Sequence, residues 1–200
     1  MATLERGFKT WAERTSGAIR NELNLPPHAP LDPKKLAFVL GVRLATPEEF
    51  PGLPKDTRDQ LLLRDPGGWS AVTLSVGGKS IVIYNPKHSH ARQASDIAHE
   101  LAHLILEHQP AKMVISLDGA MVMRSYNPEQ EDEANWLAWC LLLPREALLQ
   151  AKRTGMSTAE IAEAYGVSES LVDFRLGITG VRAFLARGRK KSGGSAFRSG

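Results

Sequence analysis

The sequence predicts an α+β fold, with a mainly helical core, a small antiparallel β-sheet and a short helix-turn-helix-like unit near the C-terminus. Three observations predict it. Residues 90–107 carry Ile97, Leu101, Leu104 and Ile105 at the spacing of one helix face. Residues 71–84 alternate Val72, Leu74 and Val76 with Ala71, Thr73 and Ser75, then turn at Gly77-Gly78 into Ile81-Val82-Ile83-Tyr84, the pattern of a β-hairpin. The acidic run Glu129-Gln130-Glu131-Asp132-Glu133 opens a third segment, whose apolar residues continue to Leu143 before Pro144 stops them.

The remaining elements follow in order. Residues 4–23 space Phe8, Trp11, Ala12, Ala18 and Ile19 as a helix, which Pro26-Pro27 ends. Leu31-Asp32-Pro33 starts a short second helix, with Pro33 at the first position, where no amide proton is missed, and Gly41 at its end. Residues 42–45 read as a short strand and the proline-rich residues 47–54 as loop. Asn85-Pro86 closes the hairpin, Ser89 caps the long helix that follows, and Pro110 lies just past it. A second ribbon over residues 113–123 turns at Asp118-Gly119. Ser157-Thr158-Ala159-Glu160 is a capping box that opens a helix with Ile161, Ala162 and Tyr165 inside. Gly166 then turns the chain, and Ser168 caps a last helix carrying Leu171, Val172, Phe174 and Leu176. The expected organisation is an N-terminal helix and linker over 1–30, the main domain over 31–150, the helix-turn-helix-like unit over 151–187, and a disordered basic tail over 188–200.

Composition narrows the function classes. Two hundred residues at 42% apolar content suit one domain, or one domain with a small appendage. The lone Cys140 excludes an internal disulfide framework and a cysteine-rich metal site, and it fits a reducing compartment. Residues 1–10 lack the apolar stretch of a signal peptide, and the longest apolar run, residues 136–143, is too short to span a bilayer. A soluble cytoplasmic protein with no membrane partner is expected. The net charge of +3 is unevenly placed: residues 180–200 hold six basic side chains and no acid, which leaves −3 over residues 1–179. The tail, rich in Gly, Ser and Arg, reads as a solvated segment more readily than as a nucleic-acid-binding arm.

The chemistry concentrates in His99-Glu100-Leu101-Ala102-His103. Histidines four apart on a helix share a face, so both imidazoles reach one metal ion. Glu100 lies about 100° around the helix, close to the metal without being a ligand. Two histidines with an intervening glutamate as general base are what a zinc-dependent peptidase needs from one helical turn. A catalytic zinc also needs a third protein ligand, and with a single cysteine in the chain the site must draw on histidine and carboxylate. Acidic residues are favoured in any first helical turn by the helix dipole, so the 129–133 cluster alone does not name one. Periodicity separates its members. Ala134, Leu137, Ala138 and Leu141 form the buried face, and Glu131 lies directly N-terminal to Ala134 and Ala138 on it. Glu131 is the expected ligand and Glu133 the alternative. His28 and His108 are read as non-ligands, and Arg124, Tyr126, His88 and His90 are oxyanion candidates by sequence proximity alone. In the C-terminal unit, the outward positions Glu169, Ser170, Asp173 and Arg175 sum to a negative charge. A helix entering a major groove between phosphates seldom carries that, so packing or partner docking is the expected role.

The string from His99 through His108, followed by Glu131-Asp132-Glu133-Ala134-Asn135-Trp136 and the run to Pro144, resembles the ImmA/IrrE metallopeptidases, over roughly residues 31–179. The resemblance implies a mainly helical zinc-peptidase core of gluzincin type, with one Zn2+ held by His99, His103 and Glu131 and with Glu100 as the catalytic base. Other divalent metals stay open. It also implies a protein substrate, a helix-turn-helix repressor that is cleaved or inactivated. Trp136-Leu137 and Trp139-Cys140 depart from the Phe-Ala and small or polar residues more usual there, which alters packing and not the ligand set. Radiation-response members carry a further sensor domain, for which residues up to Gly200 offer no counterpart. The alternative function is a non-proteolytic regulator-binding or DNA-binding protein with a structural metal site, against which the intact Glu100 argues.

Overall fold

In a computed structural model, residues 4–50, 53–108, 113–115, 122–124 and 127–193 are described, with backbone alone at 76, 113–115, 122–124 and 188–193. The chain opens with α1 (Phe8–Glu22), followed by α2 (Pro33–Val39). Asp32 caps α2 by accepting from the Lys34 amide, with Pro33 in its first turn. A positive φ of 68° at Gly41 then turns the chain into β1 (Arg43–Ala45). Residues 47–54, expected as loop, include a single 3-10 turn, Pro47–Glu49. α3 (Lys55–Asp59) runs on into a π turn, Gln60–Arg64, which no apolar period announces.

The hairpin forms as its alternation requires. β2 (Ala71–Val76) pairs antiparallel with β3 (Lys79–Tyr84), and the turn glycines Gly77 and Gly78 take φ of 58° and 76°. Two successive positive φ values are what a tight hairpin turn asks for, and glycine alone adopts them freely. β1 joins the other side of β3 in parallel, so the three-stranded sheet is mixed, with the order β1-β3-β2. The antiparallel expectation holds for the hairpin and fails for β1, whose partner lies far along the chain and leaves no local signal.

α4 (His90–Ile105) starts at Ser89, whose hydroxyl accepts from the Arg92 amide. The short ribbon β4 (Met113–Ile115) and β5 (Val122–Arg124) is antiparallel, while its expected turn at Asp118-Gly119 lies outside the described residues. α5 (Pro128–Leu142) is capped by Asn127, whose side chain accepts from the Glu129 and Gln130 amides. Its expected inner face is buried: Ala134, Leu137, Ala138 and Leu141 all lie at 2% exposure or less. Alanines at 98 and 102 on α4 and at 134 and 138 on α5 share the core, and α4 packs against α5 more extensively than against any other element. Small side chains at such a seam let two helix backbones approach closely.

Pro144 ends α5 and serves as the N-cap of α6 (Arg145–Arg153). α7 (Thr158–Tyr165) begins with the expected capping box and ends at Gly166, whose φ is 62°. α8 (Glu169–Ile178) is capped by Ser168, and α9 (Val181–Gly193) follows. α9 thus continues five residues beyond Gly188, where a tail was expected to begin. Arg and Lys are good helix formers, and one internal glycine costs only about 1 kcal/mol. Val172, Leu176 and Val181 belong to the same core as Leu101 and Leu137.

Two expectations about faces fail for one reason. On α1, Trp11 is 42% exposed, whereas Ser16 and Arg20 are wholly buried. On α8, Arg175, expected to face outward, is also wholly buried. All three serve the C-terminal end of α5, where carbonyls lack intrahelical partners. Ser16 Oγ donates to Cys140 O at 2.6 Å, Arg20 Nη2 to Leu141 O at 2.7 Å, and Arg175 Nε to Leu143 O at 3.0 Å. Arg175 Nη2 also meets Glu13 Oε1 at 2.6 Å, and Glu13 Oε2 accepts from the Arg145 amide. Burial pulls the Arg20 guanidinium down to about 10, which still leaves it charged at neutral pH.

Candidate metal centre

The candidate site lies between the second half of α4 and the first turn of α5. Helical geometry brings His99 and His103 onto one face of α4. Their Nε2 atoms are 3.0 Å apart. Close packing of α4 on α5 carries Glu131 to the same point, with Oε2 at 3.2 Å from His99 Nε2 and Oε1 at 3.6 Å from His103 Nε2. The three residues form a group whose ligating atoms all lie within 4.8 Å of one another.

The donor set fits a zinc ion. Zinc bonds of about 2.0–2.1 Å in a tetrahedron put ligand atoms about 3.3 Å apart, and the observed separations are 3.0, 3.2 and 3.6 Å. Two nitrogen lone pairs and a carboxylate facing one point repel unless a cation stands between them. His103 is suited to bind one: its burial, and then its neighbours His99 and His108, push the imidazole down to about 4. It is therefore neutral at neutral pH and keeps a lone pair for a metal. All three side chains remain between a fifth and a third exposed, which leaves a path for solvent and substrate.

Glu100 stands outside this group, one residue round the helix from His99. Its Oε2 accepts a hydrogen bond from Thr73 Oγ1 on β2. Since Thr73 faces α4, the hairpin aims the carboxylate. β2 is also an edge of its sheet, paired on one side with β3 among the described residues. A strand edge therefore runs beside the candidate metal and base.

The other candidates fall elsewhere. Glu133, the alternative ligand, points to His108, with Oε2 at 3.1 Å from its Nε2. His108 in turn places Nδ1 at 2.9 Å from His103 Nδ1, so it touches a candidate ligand without joining the group. His88 is held by Asp96 at 2.7 Å, and both side chains are largely buried. His90 is exposed at the start of α4, as is His28, whose carbonyl accepts from Tyr165. Tyr126 and the side chain of Arg124 lie outside the described residues. Sequence reasoning gives no place to Thr73, reads His108 as a non-ligand, and offers Glu133 as an alternative ligand where the structure makes it the partner of His108. Thr73 carries no signal beyond strand alternation, whereas a histidine five residues after His103 was visible and undervalued.

A search of curated proteins gives no match. One solved structure, described as a Mycobacterium tuberculosis transcriptional regulator, shares the fold with a TM-score of 0.51 at 16% identity. The alignment covers 86% of this chain and 47% of that one, so the chain spans about half the length of the regulator. At such identity the likeness concerns the fold alone. Residues 58–177 match the family model of the IrrE N-terminal-like domain, Peptidase_M78. That stretch holds the hairpin, α4 and α5, and with them His99, Glu100, His103 and Glu131. The match covers more than half of the chain, which therefore belongs to the IrrE N-terminal-like domain family.

Proposed function

We propose that the protein is a zinc-dependent metallo-endopeptidase that cleaves or inactivates a regulatory protein of the repressor type. The observation that carries this reading is the convergence of His99, His103 and Glu131 at tetrahedral spacing, with the Glu100 carboxylate beside them. His99 Nε2, His103 Nε2 and one Glu131 oxygen would hold the ion. A zinc ion so held supplies Lewis acidity to the attacking water and to the scissile carbonyl.

The remaining work falls to side chains and backbone. Thr73 occupies Oε2 of Glu100 and thereby leaves Oε1 to receive a proton from the attacking water. Glu100 then returns that proton to the departing amine nitrogen. The edge of β2, unpaired on its outer side among the described residues, gives an extended substrate segment backbone partners beside these groups. The exposed face of α8 presents Glu169 and an Asp173 paired with Arg182 at 3.1 Å, while Arg175 is buried, so the face carries no unpaired basic side chain of α8 among the described residues. Such a face suits a protein partner better than a phosphate backbone.

The test is incubation of the zinc-loaded protein with candidate helix-turn-helix regulators from the same organism, with Glu100→Gln in parallel. Cleavage by wild type, and none by Glu100→Gln, supports the peptidase. Inactivation of the regulator that survives Glu100→Gln replaces cleavage with sequestration.

A further inference from the structure

His108 and Glu133 are unused by the chemistry above, yet they are joined to it. His103 Nδ1 lies 2.9 Å from His108 Nδ1, and His108 Nε2 lies 3.1 Å from Glu133 Oε2. The His108 side chain is only 7% exposed. Two imidazole nitrogens at hydrogen-bond distance share one proton, so one donates and the other accepts. If His108 donated to His103, its own Nε2 would face the Glu133 carboxylate with two acceptors opposed. His103 would then carry its proton on Nε2, the atom that faces His99 and Glu131. The reverse assignment satisfies every contact. Glu133 accepts from His108 Nε2–H, His108 Nδ1 accepts from His103 Nδ1–H, and His103 Nε2 keeps its lone pair.

The backbone is built to bring His108 there. After α4 ends, the His108 amide donates to the His103 carbonyl at 3.0 Å, and the Glu107 amide to the Leu104 carbonyl at 3.1 Å. Glu107 between them adopts φ 54°. This is the Schellman closure of a helix, which places the residue after the left-handed one back over the last turn. The left-handed position is normally glycine, and here a side chain accepts that conformation at the very step that lays His108 on His103.

We propose that His108 and Glu133 are positioning residues, a carboxylate–imidazole relay that fixes the tautomer and the ring orientation of His103. The assignment rests on the zinc reading of His99, His103 and Glu131. It makes Glu133 the outer partner of a ligand, and His108 the connection between them.

Two measurements test it on the full chain. Proton–nitrogen NMR of protein with isotopically labelled histidine, metal-free, reads which ring nitrogen carries each proton. The expected pattern is His103 protonated on Nδ1 and His108 on Nε2. His103 protonated on Nε2 overturns the relay. Zinc affinity is then measured by competition with a chromophoric chelator. His108→Leu is expected to weaken zinc about ten- to a hundredfold, and His108→Asn, whose carbonyl can accept from His103, to recover part of the loss. The near-isosteric Glu133→Gln, which can face His108 with either an acceptor or a donor, is expected to mix the His103 tautomers and weaken zinc by less. Variants that keep both the tautomer and the wild-type affinity overturn the relay. Wild-type protein that binds no zinc overturns the peptidase reading instead, and the metal-free tautomers still judge the relay.

Discussion

Both ends of α5 gather hydrogen-bond acceptors, and the two sets are met in opposite ways. At the C-terminal end, carbonyls of Cys140, Leu141 and Leu143 are taken by Ser16, Arg20 and Arg175. The two arginines and Ser16 are fully buried, and Glu13 neutralises Arg175. At the N-terminal end, Glu131 meets two imidazoles, with no guanidinium or ammonium beside it among the described residues, and stays about a third exposed. One end is closed by protein donors and holds α1, α5, α6 and α8 together. The other leaves its acceptors converging on a point that suits a cation. Polar groups whose partners all come from the chain serve architecture, whereas groups whose partners are incomplete invite a ligand.

Substitutions at the two ends should therefore behave differently, and the largest effect belongs to the closed one. Arg175→Leu leaves Glu13 Oε1 and the Leu143 carbonyl without their donor, with only the Arg145 amide still on Glu13 Oε2. A loss of about 3–5 kcal/mol is expected in urea unfolding. Glu131→Leu should keep the metal-free protein within about 1 kcal/mol of wild type, while abolishing zinc binding. Equal destabilisation by the two variants would erase the distinction between the ends.

Metal removal sharpens the same contrast. An ion that binds only the folded chain stabilises it by about 2.7 kcal/mol at a hundred times its dissociation constant. Adding zinc to wild type should raise the unfolding midpoint accordingly, and a chelator should return it. Glu131→Ala should show no such shift, whereas a variant at the closed end that still folds should show it in full.

A smaller effect is expected at Thr73, which holds the base and not the metal. Thr73→Val removes one hydrogen bond to a carboxylate. A fall of about tenfold in kcat/KM against a peptide substrate is expected, with zinc affinity unchanged. A parallel loss of zinc affinity would show that the hairpin shapes the ligand set as well as Glu100.

The contrast also explains what the sequence made legible. The hairpin, α4 and α5 follow from local period, caps and turn glycines, so their positions are readable to within a few residues. The pairing of His99 with His103 is equally local, because one helical turn produces it. Glu131 depended on the buried face of α5, which the alanine and leucine spacing reveals. The closed end leaves no local pattern to read, because Arg20 answers a carbonyl 121 positions away and Arg175 one 32 positions away. α6 escaped notice because Pro144, read as a stop, also starts a helix. The place of His108 turns on a left-handed Glu107, a conformation that glycine or asparagine would have advertised and glutamate does not.

Cys140 gives the gentlest probe of the closed end. Burial, ahead of its charged neighbours, pushes the thiol up to about 12, well above the ordinary cysteine range. The reactive form is the thiolate, so an alkylating reagent at pH 8 should leave the folded protein unlabelled and label it only as it unfolds. The sign with pH follows from linkage. Above pH 9 the unfolded thiol loses its proton while the buried one keeps it, so the stability that Cys140 contributes is full below that pH and declines as pH rises toward 12. Labelling should accelerate in Arg175→Leu by about tenfold for each 1.4 kcal/mol of lost stability, and remain near the wild-type rate in metal-free Glu131→Leu. Rapid labelling of native wild type would mean that the end of α5 opens locally, and that its closure by Ser16, Arg20 and Arg175 is weaker than their burial implies.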